Sequence, residues 1–251
     1  MEKFKMDHVV VQYEGTDTDV VLPDETTKVG PRALAKNHFM TTLTIPDTVT
    51  SFYARACEAC DKLEKVEMSG SVSRIGKGAF ADCSSLNTVI LHDGVRYIGD
   101  HAFEFCIALK GISLPKSIVK IGEAAFKHCQ KLQQFTVPGN VDYISDDTFC
   151  ACHALRKVVF AGKVKSIGAS VFAGCTKLKK LDLPEGLETI GNAAFYSSGI
   201  ESLTIPESVT DIGLYAFYKC DGLKTLRFPY KWQYHIDTNW NIPSTTEVVF
   251  Y

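Results

Sequence analysis

Apolar and polar residues alternate along short stretches of this chain, and each stretch is followed by a turn. Residues 178–184 read Leu-Lys-Lys-Leu-Asp-Leu-Pro, in which Leu181 and Leu183 alternate with polar residues at a period of two. That period predicts a strand with one buried face, and the proline after Leu183 ends it because proline cannot donate to the next ladder position. Leu187 and Ile190 predict a second inward-facing segment, and Phe195 adds a large buried ring.

The same order of residues returns every 23 positions over most of the chain. Two of its columns predict continuous buried ladders once the turns stack. The cysteine column consists of Cys60, Cys83, Cys106, Cys129, Cys152, Cys175 and, after the loss of one residue, Cys220. The phenylalanine column consists of Phe80, Phe103, Phe126, Phe149, Phe172, Phe195 and Phe217. Ile-Gly pairs keep the same step, except that Ser145 stands in one glycine position. These glycines, such as Gly191, are expected to supply a turn conformation or a close backbone approach.

One coil of this length cannot bury these columns, but stacked coils can, with neighbours about 4.7–4.9 Å apart. The unit reads roughly L-x-x-[IV]-x-[IL]-P-x-x-[VI]-x-x-I-G-x-x-A-F-x-x-C-x-x, and it resembles the BspA-like class of leucine-rich repeats, of bacterial type, over residues 17–229. We therefore expect a β-rich, right-handed leucine-rich repeat solenoid. It would have about ten coils, with a parallel β-sheet on one face, short strands and turns on the other, and terminal caps.

The chain is expected to form one domain, because no linker-like stretch interrupts the repeat. Residues 1–16 are assigned to an N-terminal cap, 17–229 to the repeats and 230–251 to an aromatic C-terminal cap. The last segment holds both tryptophans. Their apolar rings and polar tips suit a cap over the open coil, with an aromatic ligand site as the alternative. Residues 9–11 and 247–251 are candidate terminal strands.

The nine cysteines allow three interpretations. A reduced structural ladder is favoured, because buried cysteine packs as a small hydrophobe with a weak S–H donor. Stacked Cβ atoms would also lie beyond the ~3.8 Å mean of a disulfide. A few disulfides or a metal site are the alternatives. Cys57 and Cys60 form a C-x-x-C, but Cys57 falls in the phenylalanine column and no second pair supplies further ligands. Cys150-Ala151-Cys152-His153, with His128, is a weaker metal candidate.

Neither the motifs nor the charge of the chain indicates catalysis. The P-loop, the dinucleotide fingerprint, H-E-x-x-H and G-x-S-x-G are absent, and the histidines stand at different places in the repeat. We therefore predict no enzyme, no cofactor and no bound metal. A net charge of −2 favours neither nucleic acid nor an anionic membrane. No apolar run approaches the roughly 20 residues that span a bilayer, so no membrane insertion is expected.

A partner is expected to contact the outward positions of the strands, which are mostly small and polar. A solvated sheet without a ligand would carry the same residues. The candidate binding residues are Lys65, Glu67, Ile90, Gln134, Arg156, Lys157, Val159, Lys179, Lys180, Asp182 and Arg227. Two adjacent coils also carry a run of basic residues, at Arg156, Lys157, Lys163, Lys165, Lys177, Lys179 and Lys180. Stacking predicts a basic patch beside Val159 that would attract an acidic protein or glycan, or only increase solubility.

The resemblance to BspA-like proteins implies protein–protein or cell-surface adhesion roles, with members that bind host matrix proteins. The main expectation is a non-enzymatic module that binds a protein partner through the strand face. The alternatives are an adhesin-like surface binder and a structural spacer without a specific ligand. The first eight residues lack the apolar region of a signal peptide, and the cysteines are unpaired, so a cytoplasmic location is favoured over the cell surface. The sequence specifies neither the partner nor the oligomeric state.

Overall fold

A computed structural model describes residues 4–251, and the first three residues of the predicted N-terminal cap lie outside this described part. The chain forms a parallel β-solenoid of about eleven turns with almost no helix, which confirms the predicted fold class. Strands β1 to β20 span, in chain order, Phe4–Met6, Val9–Tyr13, Asp19–Val21, Lys28–Val29, Thr42–Thr44, Ser51–Phe52, Lys65–Met68, Arg74–Ile75, Thr88–Leu91, Tyr97–Ile98, Lys120–Ile121, Gln134–Val137, Tyr143–Ile144, Lys157–Phe160, Ser166–Ile167, Thr189–Ile190, Ser202–Thr204, Asp211–Ile212, Thr225–Phe228 and Glu247–Phe250. Two 3-10 helices, Tyr230–Trp232 and Thr238–Trp240, lie in the C-terminal segment. No helix within residues 4–251 combines the length and apolarity that a bilayer span requires.

Each turn of the solenoid has three walls. The strand wall stacks three parallel ladders, β3-β5-β7-β9, β12-β14 and β17-β19-β20. The second wall consists of the short strands that contain the Ile-Gly isoleucines, and it forms the ladders β4-β6-β8-β10-β11 and β13-β15-β16-β18. At its N-terminal end β2 joins β4 in parallel, and β1 pairs with β2 in the antiparallel direction. The third wall, which we call the turn wall, carries the phenylalanine and cysteine columns.

The phenylalanine column forms the centre of the core. Every ring from Phe80 to Phe217 in this column is fully buried. Successive rings stack with centroids 5.5 to 6.1 Å apart. Cys57 takes the place of one phenylalanine and is fully buried as well. Because each ring contacts the rings of both neighbouring coils, the column joins the turns along the whole solenoid.

The cysteine column satisfies backbone carbonyls inside the turn wall. The thiol of Cys106 donates to the carbonyl oxygen of Phe80 at 3.2 Å, and Cys129 donates to Phe103 at the same distance. The contact recurs from Cys60 to Leu34 at 3.1 Å. All nine thiols of the chain are free. A small apolar side chain with one weak donor fits this position, since it fills the core and pairs a buried carbonyl at once.

Glycine in the Ile-Gly column allows the backbones of adjacent coils to approach closely. A Cβ atom on Gly191 would lie 2.5 Å from the carbonyl carbon of Gly168. The left-handed backbone conformations fall instead on non-glycine residues of the turn wall, such as Ala193 and Ser197 with φ of 53° and 52°. Of the two expectations for these glycines, close approach therefore explains Gly191.

The second wall is interrupted at Ser145. There the serine hydroxyl, and not a backbone N–H, donates to the carbonyl of the preceding coil. At the neighbouring position the Gly122 N–H donates to the carbonyl of Ile98 at 2.9 Å. In the next coil the hydroxyl of Ser145 donates to the carbonyl of Ile121 at 2.6 Å. The Cβ of serine keeps the two backbones apart, so the ladder ends at β11 and resumes at β13.

The strand wall is interrupted between the same two coils. Phe135 stands in a column that otherwise holds smaller residues such as Val89 and Val158. Its ring packs edge-on against Phe126 at 5.0 Å and Phe149 at 4.6 Å. The centroids of Phe126 and Phe149 are 6.1 Å apart, whereas Phe103 and Phe126 are 5.5 Å apart. The extra ring acts as a wedge, and no ladder joins β9 to β12 in the described residues.

The C-terminal segment continues the path of the coil beyond residue 229. The Phe217 N–H donates to the carbonyl of Trp240 at 3.0 Å, as the Phe195 N–H donates to the carbonyl of Ala216. Trp240 therefore takes the position of the residue that precedes each phenylalanine of the column, one coil further on. Its indole Nε1 donates to the carbonyl of Ile212 at 2.8 Å, and the ring stacks on Phe228 at 5.7 Å. β20 pairs in parallel with β19. Trp240 is buried within the last turn, whereas Tyr230, Tyr234 and Tyr251 are exposed.

Candidate functional site

The outward positions of the strand wall form two parallel rows. In the first row Lys65 lies beside Thr88, and Gln134 lies beside Lys157. In the second row Glu67 lies beside Ile90. The remaining candidates in these rows are Val159 beside Thr136, Lys180 beside Ser202, and Arg227 between Thr204 and Val249. Within each ladder the register therefore places these paired candidate residues side by side on the outward face of the strand wall.

The N-terminal depression of this wall is the largest, at about 880 Å³. Its charged centre is Glu67, whose carboxylate oxygens lie 3.2 Å from Lys65 Nζ and 3.2 Å from His92 Nε2. The hydrogen bond from His92, and then that from Lys65, holds the pKa of Glu67 below its ordinary value. Ser69 also lines the depression, and its hydroxyl is buried without a hydrogen-bond partner in the described residues.

His92 and Ser69 were not predicted as site residues. Both stand at the repeat position that holds a proline in most other coils, such as Pro46 and Pro115, so the sequence shows them only as variants of the repeat. The available signal was that two successive coils lose their proline, which removes two rigid rings from one edge of the strand wall. Together with Thr42 and Thr44, they leave a polar, open surface there.

A central depression of about 520 Å³ lies where the strand ladder is interrupted. Its lining contains three candidate residues, Gln134, Lys157 and Val159. The rest of the lining was not among the candidate binding residues, although Gly111, Ser113 and Thr136 stand at outward positions of the strands; it is completed by Ile112, Leu114 and Phe135. The depression itself could not be predicted, because a regular repeat predicts a continuous ladder. The wedge at Phe135 arises only from its packing between the rings of two coils.

A smaller depression of about 260 Å³ follows towards the C-terminal end. The candidates Lys180 and Asp182 line it, together with Tyr251. The hydroxyl of Tyr251 donates to the carbonyl of Ile205 at 2.7 Å, so the C-terminal residue closes one side of this depression. β14 and the coil of Lys180 are not joined by a ladder, and the strand wall is interrupted a second time.

The structure divides the predicted basic patch. Lys157 opens β14, in the same strand as Val159, and Arg156 precedes it. Lys179 is paired instead with Glu201 at 3.2 Å, and Lys224 contacts the same carboxylate at 3.2 Å. These two lysines, with Lys179 first, lower the pKa of Glu201. Of the other predicted members, Lys163 and Lys165 lie in the link between β14 and β15, and Lys177 precedes Lys179.

The predicted metal candidates make other contacts. The ring of His128 stacks on Phe105 at 4.4 Å, and His153 Nδ1 lies 2.9 Å from the carbonyl of Gly174. Burial, and then Asp147, raises the pKa of Cys150 to about 11. No group of three or more His, Cys, Asp or Glu side chains in residues 4–251 is arranged to hold a metal ion.

These observations define a leucine-rich repeat solenoid with a mostly polar strand wall. The family model for the BspA type leucine rich repeat region matches residues 13–133 and 142–239, in six copies. The chain therefore belongs to this family, whose members are generally non-enzymatic. The residues between the two matches, 134–141, begin with β12, the strand that follows the interruption.

Solved structures of bacterial proteins share this fold. The leucine-rich repeat protein of T. pallidum superimposes with a TM-score of 0.60 at 28% identity, over 86% of this chain and 82% of that one. A leucine-rich repeat protein of Eubacterium ventriosum gives 0.53 at 24% identity, over 76% of this chain and 61% of the other. A leucine-rich cell surface protein of Faecalibacterium prausnitzii gives 0.50 at 21% identity, over 96% and 90%. No curated protein matches the sequence.

Proposed function

We propose that this chain is a non-enzymatic module that binds a protein partner through its strand wall. The observation that supports this most strongly is the series of open depressions of 880, 520 and 260 Å³ along that wall. All three are lined by polar and charged side chains, and the central and C-terminal ones also by half-buried apolar residues such as Ile112 and Leu183. Protein interfaces combine apolar contacts with a polar rim. The repeat family suggests protein binding or adhesion in general terms, and the fold alone does not assign a function.

The free thiols support a cytoplasmic location for this activity. Eight of the nine cysteines are buried and Cys150 is half-buried, and none is paired. Disulfides form and persist mainly in oxidising compartments, so a chain with nine free thiols fits a reducing one. Fractionation of the source cells tests this proposal, and recovery of the chain on the outer surface would contradict it.

Site-specific photo-crosslinking tests the binding surface. A benzophenone amino acid placed at Val159 probes the strand wall, and the same residue at Tyr143 on the second wall is the control. The two positions are matched, since their side chains are 40% and 44% exposed. We expect a crosslinked adduct of one defined mass from position 159 and none of that mass from position 143. Equal adducts from both positions, or none from either, would contradict a partner surface on the strand wall.

A further inference from the structure

We propose that the central depression binds an extended acidic segment of the partner protein, with one apolar side chain seated between Gly111 and Val159. This inference rests on the proposed function and specifies the chemistry of the partner at that surface. Three observations support it, namely the interrupted ladder, the apolar floor and the excess of basic residues around a lining that contains no Asp or Glu.

The interruption leaves strand edges that are not paired with each other. Ser113 forms an isolated bridge with Ile90 on one side. On the other side β12 pairs with β14, and no strand pairing joins the coil of Ser113 to β12 in residues 4–251. An extended peptide recognises such edges through its own main-chain groups, because they present N–H and C=O groups that a ladder would otherwise satisfy.

The floor of the depression is apolar and only partly covered. Ile112 and Leu114 are half-buried, in contrast to the buried residues that take the same columns in other coils, such as Val66 and Met68. Val159 on the far side is 40% exposed. No heavy atom lies within 4 Å of the Cβ position that a side chain on Gly111 would occupy. The site can therefore receive one apolar side chain beside Gly111.

Basic residues predominate around the depression. The equivalent residues 110–122, 133–145 and 156–168 of the three coils contain seven Lys or Arg residues and one acidic residue, Asp142. Lys110, Lys116 and Lys157 are exposed, and within residues 4–251 none of them makes an ion pair. The whole chain has a net charge of −2, so this positive field is local. It complements carboxylates that flank the apolar anchor and steers their approach.

The apolar floor favours a peptide over a sulfated glycan or a nucleic acid. Both of these polyanions would neutralise the lysines, but neither offers an aliphatic side chain for Ile112, Leu114 and Val159. Binding by charge alone would also lose affinity steeply with salt, whereas a seated apolar anchor retains part of its affinity when the charges are screened.

Selection from a displayed library of random 12-residue peptides tests the inference on the full chain. The enriched peptides should share one apolar residue flanked by Asp or Glu.

Three variants test where these peptides bind. Gly111→Phe fills the depression from a position with open space, and it should lower the affinity for those peptides at least about tenfold. Lys157→Gln should weaken them about threefold at low salt and less at high salt. Thr225→Phe adds the same ring to the same row five coils away, outside the three depressions, and should leave binding unchanged. Circular dichroism verifies that each variant folds.

Several outcomes would overturn the inference. These are the absence of enriched peptides, enrichment of peptides without acidic residues, or equal binding of the enriched peptides to the Gly111→Phe variant. Heparin provides a further test. If it binds the wild-type chain and displaces the peptides equally from both Phe variants, the peptides bind by charge alone and no apolar side chain is seated in the depression. If the benzophenone at Val159 still gives its adduct while the peptide result fails, the protein-binding function stands and only the acidic-segment inference falls.

Discussion

At the scale of single residues, the repeated side chains contact the equivalent residues of the preceding and following coils. Phe126 stacks on Phe103 and Phe149, and the thiol of Cys152 donates to the Phe126 carbonyl at 3.2 Å. The sequence indicates the first contact, because a period of 23 residues aligns the phenylalanines. It does not indicate the second contact, because which carbonyl accepts from the thiol depends on how adjacent coils are offset in three dimensions.

We predict that Phe126→Ala destabilises the chain by about 3–5 kcal/mol, the usual cost of emptying a fully buried ring site. The matched control is Phe105→Ala, because the Phe105 ring is 39% exposed on the same wall. Denaturant unfolding followed by circular dichroism measures both. If Phe126→Ala lowers the free energy of unfolding by less than about 1 kcal/mol, the phenylalanine column does not stabilise the solenoid as described.

Cys150 should be the first thiol to react in the native chain. It is the half-buried member of the nine, and its pKa is raised to about 11. A raised pKa favours the neutral thiol, so the rate of modification should rise about tenfold per pH unit up to pH 10 rather than level off near pH 9. A thiol reagent followed by mass spectrometry measures this, with Cys150→Ser as the control. Fast modification of several thiols at neutral pH would contradict the buried cysteine column.

At the scale of elements, the spacing of the strands depends on which residues permit close approach. Gly191 lies against the backbone of Gly168, whereas Gly111 faces open space. Two residues separate coils instead of bringing them together. Ser145 does so on the second wall and Phe135 on the strand wall. The sequence shows Ser145 as a departure from the Ile-Gly column, but the effect of Phe135 requires knowledge of the rings on both sides.

Two glycine substitutions separate these roles. Gly191→Ala places a Cβ 2.5 Å from a backbone carbon of the adjacent coil, so we predict a loss of about 2–3 kcal/mol. Gly111→Ala meets no heavy atom within 4 Å and should change stability by less than about 1 kcal/mol, with a small gain from a less flexible unfolded chain. Chemical denaturation of both variants measures the difference. Equal losses at the two positions would show that close approach does not determine the use of glycine.

The interruption between the two coils should also be visible in exchange rates. We predict that amides of β11 and β12 exchange with deuterium at least about tenfold faster than those of β8 and β10, since both ladders end there. Hydrogen exchange with mass spectrometry on the free chain measures this. Uniform protection along the solenoid would show that the ladder interruptions have no energetic consequence.

At the scale of the whole molecule, the periodicity of 23 residues predicts the solenoid, its walls and the rows of outward residues. Lys65, Glu67, Gln134, Lys157 and Val159 lie on one surface because the register of a repeat is regular. The depressions could not be predicted, since each arises where the repeat departs from its own pattern. The pairing of Lys179 with Glu201 could not be predicted either, because it depends on the fold of a neighbouring coil.

The most direct test of the strand wall as the partner surface is a hydrogen-exchange footprint of the chain with and without its crosslinked partner. The account predicts added protection in Gln134–Val137 and Lys157–Phe160 and in residues 111–114, with the second wall unchanged. Protection confined to the turn wall, or to the strands of the second wall, would contradict it.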